Sequence, residues 1–151
     1  MTLPILLFQG IPTAMALSIL ILTVNNSLKY WKTGLVIGAL LGVMLFFIRL
    51  LPVAFGIHTL IMISLYIIVF RLYFKFSFLN LIKAMLIGIL IIVISEAFIF
   101  VFLSGLLSLT IEAIFESSLI LILVGWIEIL LLLVISLIIY NRKKRARVNE
   151  E

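Results

Sequence analysis

The sequence predicts an all-α integral membrane protein, a bundle of about five transmembrane helices with the N-terminus outside and the C-terminus cytoplasmic. Three observations lead there. Hydrophobic residues make up 66% of the 151 positions and the mean hydropathy is +1.49, more apolar surface than a soluble core of this size can bury, so lipid must solvate most of it. The apolar residues fall in long continuous runs without strand-like alternation. Lys and Arg gather in clusters between those runs.

Hydropathy alone allows four to six segments, and charge placement selects five. The first run, Leu3–Thr23, is near the roughly 20 residues needed to cross a bilayer. No Lys or Arg precedes it and no small-residue cleavage pattern closes it, so it is expected to persist as a mature helix. Lys29 and Lys32 follow it. The second run is Gly34–Leu51; the third, Ile57–Phe70, is shorter and needs its flanks to span. Arg71, Lys75 and Lys83 then precede the fourth run, Ala84–Leu103. The fifth, Leu119–Tyr140, runs into Arg142, Lys143, Lys144, Arg145 and Arg147. Five crossings put every basic cluster on one side. The opposite connections, a Pro52–Gly56 turn and a stretch with Glu112 and Glu116, hold no Lys or Arg, and the positive-inside rule therefore sets the orientation.

This divides the chain into a bundle over residues 1–140 and a basic cytoplasmic tail over 141–151 that faces anionic lipid. Tyr30, Trp31, Tyr73, Phe74 and Tyr140 form an aromatic belt at the same level, as anchors and not as a binding box. Between the fourth and fifth runs, Leu106–Ser118 reads either as an interfacial amphipathic helix, with Glu112 and Glu116 opposite Ile111 and Phe115, or as a plain outer loop.

Several function classes are excluded by composition. The chain has no Cys, which removes disulfides and thiolate chemistry. One His with no Cys and no Asp is too few ligands for a typical zinc site, and neither HExxH nor a GxSxG nucleophile elbow occurs. Ser104–Gly105 reads as a helix terminus. We expect no enzyme activity, no cofactor and no metal. The net charge of +5 reflects topology and lipid headgroups, and nucleic acid is not an expected partner.

What remains is a small set of polar residues inside apolar runs: Gln9, Arg49, His58, Glu96 and Glu128. A charge at the centre of a bilayer costs at least about 2.5–3.5 kcal/mol, so such residues face a partner or a cavity. Gly34, Gly38 and Gly42 repeat every fourth residue on the second run, forming a surface for close helix packing on the same arc as Arg49. Gly125 lies one turn before Glu128. Ala84, Gly88 and Ser95 share a face edged by Glu96. Counted from the inner boundary at about 1.5 Å per residue, Arg49, Glu96 and Glu128 all lie roughly 20 Å up, and a polar layer in the outer leaflet is expected. Two readings of it stay open: a structural clamp, and a sensing or ligand pocket in which His58 titrates near neutral pH and Arg49 grips an anion. Ion conduction fits less well, because the inner halves of the runs are almost wholly apolar.

The segment RLLPVAFGIHT (Arg49–Thr59), with Pro52, Phe55, Gly56 and His58, followed by the isolated Glu96 in SEAF, resembles the five-helix membrane-sensing region of Firmicutes sensor histidine kinases of the peptide-quorum-sensing and sporulation-phosphotransferase type. The resemblance spans about residues 5–140. It implies a bacterial inner (plasma) membrane protein with a signal-sensing role. A kinase would continue beyond Arg147 into a dimerisation helix and ATP-binding lobe, so the expectation is a sensor module or accessory subunit working through a partner kinase or transporter. The alternatives are a structural subunit of a larger complex, joined through the Gly34/Gly38/Gly42 face, and a small transporter or holin-like pore formed by a homo-oligomer.

Overall fold

A computed structural model describes residues 3–50, 57–107 and 117–148. Every regular element among them is helical. Helix α1 spans Leu6–Val24, with one turn at Leu3–Ile5 before it. Helix α2 is Trp31–Arg49, α3 Ile57–Phe74, α4 Phe78–Leu107 and α5 Ser118–Val148. All five are long and apolar enough to cross a membrane, and they coincide with the five runs of the sequence. The chain is thus built as a multi-pass membrane protein. Its lipid-type exterior is explicit: Leu72, Leu119, Phe98 and Val101 are each more than 70% exposed.

The ends differ from expectation. Helix α4 starts at Phe78, and α5 continues through the basic stretch to Val148. Lys and Arg are good helix formers and no Gly or Pro interrupts either segment, so nothing stops the helix where the apolar run stops. The Pro52–Gly56 turn and the segment carrying Glu112 and Glu116 lie outside the described residues.

Each helix packs on the next in chain order, and α5 returns to α1, which closes a ring. Helix α1 is pushed inward, touches α4 as well, and supplies the centre of the core with Leu17, Leu20, Ile21 and Leu22, all 0–2% exposed. The broadest contact is α1 on α2, and the glycine repeat explains it. A Cβ at Gly38 would lie 2.7 Å from Met15 Cα and 2.8 Å from the Ala14 carbonyl oxygen; one at Gly42 would lie 3.0 Å from Ile11 Cα. A Cβ at Gly34 would overlap the Leu22 side chain. Backbone meets backbone here, as in other small-residue membrane interfaces. The expectation of a packing face is met, but its occupant is the chain's own α1. The face is therefore not available for joining a larger complex.

At the middle of the bundle the Tyr66 hydroxyl donates to the Ala14 carbonyl at 2.8 Å, and the Ser18 hydroxyl donates to the same oxygen at 3.0 Å. Tyr66 begins an aromatic ladder down α3 through Phe70 and Phe74 to Phe76, with ring centroids 6.1, 5.5 and 5.2 Å apart. Phe74, expected as a surface anchor, is turned into this ladder and also meets Tyr30. Tyr66→Phe keeps the ring and removes one buried hydrogen bond while Ser18 still serves Ala14, so a loss of about 0.5–1.5 kcal/mol is expected in reversible unfolding in detergent.

The end of the bundle carrying the Lys and Arg clusters is tied down by backbone geometry. Asn26 adopts a left-handed conformation (φ 56°), Ser27 N–H donates to Leu22 O at 2.8 Å and Asn26 N–H to Thr23 O at 3.2 Å. This is a Schellman ending, in which Asn substitutes for the usual Gly. Lys143 Nζ reaches across from α5 to the Val24 and Thr23 carbonyls, a cation on the negative end of the α1 dipole. Lys143 was expected to face lipid with the rest of the tail; the structure gives it a protein partner as well, because α5 runs parallel to α1 and carries the ammonium to the last carbonyls of α1.

Candidate polar layer at the acidic end

The opposite end of the ring collects one of the five expected polar residues from every helix: Gln9 from α1, Arg49 from α2, His58 from α3, Glu96 from α4 and Glu128 from α5. The local structure of α1 is special here. Leu6–Gly10 is a π-helical turn, closed by Ile11 N–H donating to Leu6 O. Pro12 follows in the first turn of the α-helix. Its ring has no N–H for the carbonyl four residues back and would crowd it, and a wider turn relieves both problems.

Gln9 leaves this π turn and lies directly on α5 at Gly125, where any Cβ would overlap Gln9 Cγ and Cδ. Gly125 is therefore small so that the glutamine can cross. One turn further along α5, Glu128 is 2% exposed. Glu96 is half-buried on α4, beside Ser95, which is 5% exposed and bonded to its own helix at Ile92 O. Arg49 lies within electrostatic range of both Glu96 and Glu128, and the two carboxylates act on each other.

Helix register sets their heights. Gly88 lies against Leu17 and Leu20, and Glu96 stands about 12 Å further up α4, near the level of Gln9. Glu128 is about 4.5 Å below Gly125. Gly42 meets Gly10 and Ile11, so the backbone of Arg49 is about 10 Å higher, level with the Leu3–Ile5 turn that precedes α1. The expectation of one common height holds for the two glutamates and not for Arg49. The counts start level, since Gly34 meets Leu22 and Gly88, four residues above Ala84, meets Leu17 and Leu20, but Arg49 lies three residues further along its helix from that level than Glu96 does.

Arg49 is also exposed, although the glycine face was expected to carry it inward. At the last residue of α2 little of α1 remains to cover it. Its long side chain still brings the charge toward the carboxylates. His58, the second residue of α3, shares this end of the bundle.

Three buried polar atoms of the layer, Thr13 Oγ1, His58 Nδ1 and Glu128 Oε1, have no hydrogen-bond partner among the described residues. Thr13 was missed by sequence reasoning. A lone Thr in an apolar helix carries no signal, since its hydroxyl usually bonds its own backbone, as Thr23 does to Ile19 O at 2.8 Å. Only the register of α1 and α5, four residues below the Gln9–Gly125 contact, reveals it beside the level of Glu128. Tyr66 was likewise not legible as a polar residue of the core.

Among the described residues no group of three His, Cys, Asp or Glu could hold a metal ion. No family model matches the chain, and no curated protein or solved structure matches it either.

Proposed function

We propose that this chain is a regulatory or accessory protein of the bacterial inner membrane, with its N-terminus outside and its C-terminus cytoplasmic, whose polar layer recognises a signal molecule or a partner's polar group and passes that state to a partner protein. The observation that carries this reading is the set of buried atoms without a partner among the described residues, Thr13 Oγ1 and Glu128 Oε1 above all, in a layer fed by all five helices. A buried polar group without a hydrogen bond costs about 1–3 kcal/mol in protein mutational series. A fold that only needed to hold its helices together has the glycine face and an apolar core for that purpose. The layer is better explained by recognition of a group that donates to a carboxylate and a hydroxyl.

The packing below the layer counts against a pore through one chain. Leu17, Leu20, Tyr66, Phe70, Met85 and Leu132 are each at most 2% exposed and fill the centre. The resemblance of Arg49–Thr59 and Glu96 to kinase sensing regions points the same way.

The test is genetic. Arg49→Ala and Glu96→Ala, expressed from the native locus, are expected to insert at wild-type abundance and yet reproduce the transcript profile of a deletion strain. Wild-type transcript profiles from both variants would overturn the reading.

A further inference from the structure

We propose that the cleft between the α1–α2 turn and the end of α5 is a binding site for the headgroup of an anionic phospholipid. The cleft, about 560 Å³, is lined by Lys29 from the α1–α2 turn and by Lys143 and Lys144 from α5, with Asn26, Trp31 and Tyr140 around it. Three lysines from two parts of the chain thus border one concave space, Lys29 with its ammonium 4.9 Å from the Tyr30 ring centroid and Lys143 with its own on the α1 carbonyls. Among the described residues no Asp or Glu lines it, and both described glutamates stand at the far end of the bundle. A compact anion with several acceptor oxygens is what such a lysine set recognises.

Depth and shape point to lipid as the source of the anion. Trp31 and Tyr140 are 47% and 41% exposed, with apolar rings and polar tips of the kind that settle at headgroup level. The cleft opens where the apolar surfaces of α1 and α5 end, so acyl chains can lie along the helices while the phosphate enters between the lysines. Asn26, held left-handed by the Schellman ending, presents an exposed side-chain amide beside them. Lys143 has a second task, bonding the α1 carbonyls, and couples an occupied cleft to the end of the central helix. This assignment is independent of the reading of the polar layer and narrows the general attraction of a basic tail to one site, in which Lys29 comes from elsewhere in the chain.

The test is native mass spectrometry of the full chain in mild detergent, titrated with phosphatidylglycerol, phosphatidylcholine or inorganic phosphate. Wild type is expected to retain one phosphatidylglycerol in preference to phosphatidylcholine. The double variant Lys29→Gln/Lys144→Gln should weaken that binding about 30-fold. Arg142→Gln/Arg145→Gln, which removes the same charge from outside the cleft, should change it little. Equal losses in the two double variants would reduce the effect to unspecific surface attraction and overturn the site. Displacement of the lipid by inorganic phosphate at comparable concentration would overturn the lipid assignment in favour of a small-anion site.

Discussion

Gly38→Leu is expected to separate α1 from α2 and leave little monodisperse protein after extraction into mild detergent. The collision is with backbone: Met15 Cα and the Ala14 carbonyl lie 2.7 and 2.8 Å from where a Cβ would sit, so no rotamer change relieves it. Overpacking ordinarily costs about 1–3 kcal/mol through side-chain adjustment, and here the cost is at or above the top of that range because two helices must part. The same motion would pull Ala14 from the Tyr66 and Ser18 hydroxyls. Gly105→Leu is the control, since nothing lies within 4 Å of its Cβ position. It should leave the thermal midpoint and the elution profile unchanged. Equal behaviour of the two variants would show that α1 and α2 do not meet through this face.

The second large effect has the opposite sign for stability. Glu128→Met puts an apolar side chain of similar volume in place of a carboxyl that is 2% exposed and has one oxygen without a partner among the described residues. A buried polar group without a hydrogen bond costs about 1–3 kcal/mol, and an apolar side chain in its place recovers that cost. We expect Glu128→Met to raise the thermal midpoint in detergent and to give the deletion phenotype in the transcript assay. Stability gained with function lost is the signature of a residue kept for recognition. A structural clamp predicts the reverse, because loss of Glu128 would leave Arg49 and Glu96 with an altered balance and a weaker bundle. A lowered midpoint with normal transcripts would therefore assign the layer to architecture.

Much of the candidate site was legible from the chain, because a charged residue in an apolar run is conspicuous against its neighbours. Arg49, Glu96 and Glu128 stood out for that reason, and the structure brings them within electrostatic reach of one another. Thr13 and Tyr66 did not stand out, since Thr and Tyr are ordinary in membrane helices until a partner helix shows what their hydroxyls face. Lys143 illustrates the converse: its charge was obvious, yet its role on the α1 carbonyls depends on α5 running parallel to α1 and extending past Tyr140.

By itself, the sequence determined the number of helices long and apolar enough to cross a membrane, the helical class and the existence of a close-packing glycine face. Each follows from a local quantity: the length of an apolar run against the thickness of a bilayer, and the absence of a side chain at every fourth residue. Tertiary structure alone decided which helix fills the glycine face, which helix lies at the centre, and how far the polar residues are staggered. Those are matters of relative rotation and sliding between helices whose exposed surfaces are almost uniformly apolar, and in such surfaces only backbone proximity and a few hydroxyls and charges select one register.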